Sequence, residues 1–140
     1  MPEAMEVRVA NDLTSLGSVL NRLDAYCAAL GMAPAMCRDV RLALDEILTN
    51  VILHAWPHGG NHAAELHVSA ADGVLTCVVV DDGVPFDPVA HPAPAKPQSL
   101  GASQIGGYGL VLVRAIADQL TYTCSDGRNR LELQKIYRTR

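Results

Sequence analysis

The sequence predicts an α+β fold: a two-layer sandwich in which a mixed, mostly antiparallel sheet is covered by helices on one face. Three observations predict it. Two long segments of helical spacing lie between residues 12 and 55. Two Asp-Gly pairs, Asp72-Gly73 and Asp126-Gly127, each join two strand-like segments. The order of elements reads β-α-α-β-β-loop-α-β-β. The chain of 140 residues is treated as a single domain spanning 1–140, and its apolar fraction of 49% is enough to close one core. With one Trp, one Phe and four Tyr, aliphatic side chains and Ala must fill that core.

MEVRVA, from Met5, alternates and predicts a short edge strand. Leu13, Leu16, Leu20, Leu23, Cys27 and Leu30 then recur at helical spacing, with Asn11 or Asp12 as the N-cap and Gly31 past the end. Pro34 opens a second helix from about Ala35 to Ala55, stopped by Pro57 and Gly59-Gly60. AELHVSAA (64–71) and VLTCVVVD (74–81) read as strands. From Val84 to Gly106 the composition changes to Pro85, Pro88, Pro92, Pro94, Pro97 and small residues, which no regular element accommodates. Residues 109–119, GLVLVRAIADQ, predict a third helix, and TYTCSD and RLELQKIY two closing strands.

The net charge of −4 and the lack of a basic run argue against direct nucleic-acid binding. No apolar window reaches the roughly 18 residues that cross a bilayer, and MPEAMEVRVANDL has no signal-peptide pattern. Cys27, Cys37, Cys77 and Cys124 form no CxxC and sit among apolar residues, so free thiols and a cytoplasmic location are expected. His58 and His62 bracket a Gly-Gly loop without a neighbouring Cys or acidic ligand, which predicts exposed loop histidines rather than a metal site.

Three stretches could carry chemistry. In LDEILTNVILHAW, the wheel puts Val40, Leu44, Ile47, Leu48, Val51 and Ala55 on the core face. Glu46, Asn50 and His54 line its border: a candidate general base, a neutral oxygen suited to Mg²⁺, and an imidazole. A solvated helix edge explains the same spacing. In VVVDDGVPFDP, a valine run delivers Asp81 to a strand end, followed by Gly83. Such an Asp can hold an exocyclic amine, although Asp-rich turns are common. In IGGYGLVLVRAIAD, Gly106, Gly107 and Gly109 precede an apolar helix, and free amides there suit phosphates. No GK[ST] follows, so it is not a Walker loop, and the HRD and DFG signatures of eukaryotic-type kinases are absent.

Taken in order, the three resemble the GHKL ATPase superfamily, which includes gyrase, histidine kinases and the mismatch-repair MutL protein. Glu46 and Asn50 match its N-box, Asp81-Asp82-Gly83 its first glycine box, and Gly107-Tyr108-Gly109-Leu110 its second. ALDEILTNVILHAW, DDGVPFDP and GGYGLVLVRAIADQLTY are similar to the small bacterial anti-sigma factor serine-protein kinases, over about Val7 to Arg138.

The resemblance implies the Bergerat-type ATP-binding fold, with ATP and Mg²⁺ as ligands. It implies Glu46 as general base on an attacking hydroxyl and Asn50 as the Mg²⁺ ligand. Asp81 would accept from the adenine amine, Gly83 would let the backbone come close, and Gly107, Gly109 and the Leu110 amide would face the phosphates. A lid would run over about residues 87–105. The implied substrate is a serine or threonine on a STAS-fold anti-anti-sigma protein. A sigma factor would be the competing partner and a PP2C-type phosphatase a member of the same circuit, and a homodimer is common in the family.

Two positions depart from the family pattern: Pro85 replaces a second glycine, and Asn129 stands where a threonine often touches the base. His54 is expected to cap its helix end, the alternative being an approach to the phosphates; Arg114 is expected to pair with Asp118 at i,i+4, the alternative being a reach toward the lid; and Asn21, Arg22 and Asp24 are expected to offer a partner surface. The alternatives are a nucleotide-binding switch without kinase activity and, last, the ATPase domain of a histidine kinase. The chain shows no helix pair carrying a phospho-accepting His.

Overall fold

The computed structural model describes residues 2–86 and 105–139, with 105–110 described only as part of a helix. Five strands form one sheet: β1 (Met5–Ala10), β2 (Ala63–Ala71), β3 (Val74–Asp81), β4 (Gln119–Ser125) and β5 (Arg128–Ile136), in the order β1-β2-β3-β5-β4. Every pairing among them is antiparallel, so the mixed sheet expected from sequence is replaced by a uniform one. The reason is local: β2–β3 and β4–β5 are tight hairpins, and β5 pairs back onto β3. Both turns put positive φ on Asp and Gly: Asp72 (54°) with Gly73 (77°), and Asp126 (54°) with Gly127 (74°). That is the backbone whose twist suits a two-residue hairpin.

Pairing makes opposite residues share a face. Val9 and Ala64, Leu66 and Val79, and Cys77 and Leu133 are such pairs, all buried. The other face is polar and carries its own ion pairs: His67 bridges Glu6 and Glu65, and Arg130 pairs with Glu132. The helices therefore cover one face.

A 3₁₀ turn at Leu13–Ser15 leads into α1 (Leu16–Ala29), and Asp12 Oδ1 accepts from the Thr14 amide in front of it. Helix α2 (Pro34–His54) starts on its proline because the first amide of a helix has no intrahelical partner to lose. Helix α2 packs against both α1 and α3 (Ile105–Ile116). Leu23, Val40, Ala43, Leu44 and Leu48 have no exposed surface and form the centre of the core with Leu66 and Leu75 of the sheet.

Helix α3 begins at Ile105 and ends at Ile116, four residues earlier and three residues earlier than the sequence predicts. Its C-terminus is pulled in by Lys135, whose Nζ donates to Ile116 O at 3.0 Å, and strand β4 already starts at Gln119. Asp118 then serves the sheet: its Oδ2 accepts from the Ile136 amide at 2.6 Å and lies 3.8 Å from Lys135 Nζ. The proposed lid, 87–105, lies outside the described residues except for Ile105. None of the four cysteines forms a disulfide; Cys27 and Cys77 are buried as expected, Cys37 is half-buried against the core, and Cys124 is exposed. Among the described residues no helix is long and apolar enough to cross a membrane.

Candidate functional site

Three pieces of backbone meet at one end of the sheet: the C-terminus of α2, the end of β3 and the start of β5. The register of β3 against β5 places Asp81 opposite Asn129, and both lie on the helix-covered face. They are the two buried polar residues of the described core, 8% and 6% exposed, in a row that is otherwise apolar. A buried polar group is tolerated when it is hydrogen-bonded. Asp81 Oδ1 accepts from the Gly83 amide at 2.8 Å and from Asn129 Nδ2 at 2.9 Å. The same Nδ2 donates to the carbonyls of Gly83 (3.1 Å) and Val84 (3.2 Å), and Tyr122 donates its hydroxyl to Asn129 Oδ1. Asp81 thus sits at a strand end as predicted, with one carboxylate oxygen saturated by protein.

Gly83 is required by a close approach within the protein. A Cβ on it would lie 2.3 Å from Ala55 O and 2.4 Å from Ala55 Cβ, while the Val84 amide donates to Ala55 O at 2.8 Å. The N-box helix and the Asp-x-Gly turn are therefore stitched together by backbone. Trp56 adds a side-chain stitch: its Nε1 donates to Asp82 Oδ1 at 2.9 Å, and its ring stacks on His62 with centroids 5.0 Å apart and planes 3° from parallel. His62 is half-buried by this stack, so it is not an exposed loop histidine. Its loop is pinned in turn by Asn11, whose Nδ2 donates to Gly60 O at 2.8 Å. An open cleft of about 350 Å³ follows this seam, lined by Trp56, His62, Asp82, Gly83 and Val84 among others, and not by Glu46, Asn50 or Asp81.

Glu46 and Asn50 are half-buried on α2. With a rise of 1.5 Å per residue they stand roughly 13 Å and 7.5 Å along the helix axis from Ala55. Burial, and secondarily the like charge of Asp45, raise the Glu46 carboxyl above its ordinary range. A raised pKa makes a carboxylate a stronger base than an ordinary one. Asp45 itself accepts from Thr49 Oγ1 at 3.2 Å and stays off the Glu46 row. His54, exposed at the last turn of α2, continues that row one turn past Asn50.

Gly107, Gly109 and Leu110 lie inside α3, whose first residue is Ile105, and not in a loop before it; their side chains lie outside the described residues. The helix packs on α2, the helix that carries Glu46 and Asn50. On α1, Asn21 and Arg22 are exposed and Asp24 is half-buried; Arg41 of α2 pairs with Asp24, and its Nη1 donates to Asn21 Oδ1 at 3.2 Å.

Sequence reasoning missed Ala55, Trp56 and Tyr122. Tyr122 was within reach. A two-residue turn at Asp126-Gly127 pairs Ser125 with Arg128 and Cys124 with Asn129. Tyr122, two residues before Cys124, must then share the face of Asn129. Ala55 and Trp56 carry no comparable signal, because their partners lie about 27 residues away across an unpredicted backbone contact.

The family model of the histidine kinase-like ATPase domain matches residues 9–135. Serine/threonine-protein kinase BtrW of Bordetella bronchiseptica is 34% identical over 110 residues, which cover 79% of this chain and 73% of the relative. Serine-protein kinase RsbW of Halalkalibacterium halodurans is 27% identical over 124 residues, covering 85% of this chain and 75% of the relative. The fold is similar to the crystal structure of the RsbU and RsbW domains of Rv1364c from Mycobacterium tuberculosis. The match has a TM-score of 0.71 at 14% identity and covers 99% of this chain, which spans 34% of that longer one. The chain belongs to the histidine kinase-like ATPase domain family, on its serine/threonine-protein kinase branch.

Proposed function

We propose that the protein transfers the γ-phosphoryl group of ATP to a serine or threonine of a STAS-fold anti-anti-sigma protein, and that it holds a sigma factor until that partner displaces it. Glu46 is the observation that carries the reading: a half-buried carboxylate, raised in pKa by its burial, one helical turn from a neutral oxygen donor.

In this reading Glu46 removes the proton from the attacking hydroxyl as the new O–P bond forms and the bond to the β-phosphate oxygen breaks. The chemistry needs positioning and charge neutralisation more than covalent help. Asn50 offers one hard oxygen to Mg²⁺. This fits a cation held mainly by phosphates and water, and no described cluster of three or more His, Cys, Asp or Glu offers an alternative cage. When bound, Mg²⁺ neutralises phosphate charge. Asp81 accepts from the adenine amine, and Gly107, Gly109 and the Leu110 amide serve the phosphates. A PP2C-type phosphatase would reset the partner, in the cytoplasm, and the kinase would work as a homodimer.

Incubation with Mg-ATP and a STAS-domain anti-anti-sigma protein of the same organism should yield phosphoserine or phosphothreonine on the partner by mass spectrometry. Binding of ATP with no phosphorylated partner would leave a nucleotide-dependent switch. Absence of any adenine nucleotide binding would remove the reading altogether.

A further inference from the structure

We propose that Tyr122 and Asn129 are positioning residues for Asp81, and that together they set this protein's preference for a base with an exocyclic amine. The inference rests on the nucleotide-binding reading above and concerns how this chain builds its base-reading corner without the usual threonine.

The Asn129 amide can be oriented in one way only. Its Nδ2 faces three groups: Asp81 Oδ1, Gly83 O and Val84 O. All three are acceptors without a proton to give, so the NH₂ must lie toward them. The carbonyl Oδ1 then points the other way, where it accepts from the Tyr122 hydroxyl. A flipped amide would aim an oxygen at a carboxylate and two carbonyls, and would offer an NH₂ to a hydroxyl that could only accept. Tyr122 therefore acts as the lock that makes the correct orientation the stable one.

The consequence falls on Asp81. Its Oδ1 is taken by two protein donors, the Gly83 amide and Asn129 Nδ2, and among the described residues none donates to its Oδ2. Asp81 is 8% exposed, so neighbouring protein groups rather than bulk solvent set the orientation of its carboxylate. Fixing Oδ1 also fixes the direction of Oδ2. An amino group satisfies that oxygen, and a carbonyl in the same place repels it. Asn129 has both amide hydrogens engaged by protein, so it does not replace the threonine as a donor to the base. It holds the acid that reads the base.

The test compares ATP with inosine triphosphate, which carries a carbonyl in place of the exocyclic amine. Affinities are measured by calorimetry for the full chain, Tyr122→Phe and Asn129→Ala. The unmodified protein should prefer ATP. Tyr122→Phe keeps the ring and removes the hydroxyl; it should lower ATP affinity roughly fivefold to tenfold and leave inosine triphosphate nearly unchanged. A merely structural loss would weaken both nucleotides alike, because both bind the same folded fraction. Asn129→Ala should go further in the same direction. If it fails to fold, Tyr122→Phe still decides. Preference for ATP in the unmodified protein with the same ratio in Tyr122→Phe overturns the positioning role and leaves the nucleotide reading intact. No preference in the unmodified protein overturns the positioning role, and no binding of either nucleotide overturns both.

Discussion

The carbonyl oxygen of Ala55 stands 2.3 Å from where a Cβ on Gly83 would be. Nothing flexible can yield there, because the clash is with the backbone at the end of α2. Gly83→Ala should therefore destabilise by about 1–3 kcal/mol, the usual range for overpacking a tight site. The change should appear as a clear drop in Tm with a matching loss of nucleotide affinity. Gly17 provides the contrast: it lies exposed in α1, with no atom within 4 Å of its virtual Cβ. Gly17→Ala should raise stability by roughly 0.5–1 kcal/mol. Equal effects of the two substitutions would contradict the role given to the Ala55 contact.

Glu46→Gln should abolish phosphoryl transfer and leave ATP binding in place. Its effect on stability has a defined sign. Burial raises the folded pKa above the ordinary value of 4.5, so the folded protein binds this proton more tightly than the unfolded chain. The stability this proton gives is complete below the unfolded pKa and is lost as pH rises through the folded one. At neutral pH, Glu46→Gln should match or slightly exceed the parent in thermal melting. The transfer rate of the parent should fall as pH drops through the raised Glu46 pKa, and a flat acid limb in the rate profile would exclude Glu46 as the base.

Asn50→Ala should remove the Mg²⁺ dependence of ATP affinity. In the parent, excess EDTA should weaken ATP binding, and in the variant it should change little. The measurement is nucleotide affinity with and without chelator. A variant that keeps the full response to EDTA would place the metal ligand elsewhere.

Trp56 is the single tryptophan and reports on the corner by itself. Its indole donates to Asp82, next to the turn that carries Asp81 and Gly83. Addition of Mg-ATP should change its fluorescence emission, with a saturation curve that follows calorimetry. Trp56→Phe keeps an aromatic stack on His62 and loses the hydrogen bond, for about 1 kcal/mol of stability. A nucleotide that binds without altering Trp56 emission would separate this corner from the ligand.

In the core, Leu48→Ala should cost about 2–5 kcal/mol, because Leu48 has no exposed surface and its neighbours can collapse only in part. Leu53, five residues along and 51% exposed, should tolerate Ala within about 0.5 kcal/mol. Chemical denaturation of the two variants distinguishes the faces of α2.

The sequence by itself determined the strand hairpins, the two long helices and the apolar stripe of α2. Each of these is a local periodicity or turn chemistry that a short window contains: Asp72-Gly73 between two alternating segments favours the positive φ of a two-residue hairpin, and Leu44 and Leu48 share a face in any helix. It also placed Asp81 at a strand end and Glu46 and Asn50 on one helical row. What only tertiary structure decided is how those pieces touch. The sheet is uniformly antiparallel because β5 returns to β3, a long-range pairing that no window records. Gly83 is dictated by Ala55, which reaches it through a backbone contact between distant segments. Asn129 anchors Asp81 because register puts it opposite that carboxylate, with Tyr122 donating to its amide oxygen. Periodicity reports which way a side chain points. The partner it meets depends on register and on the packing of helix against sheet, and those are set by the whole core at once.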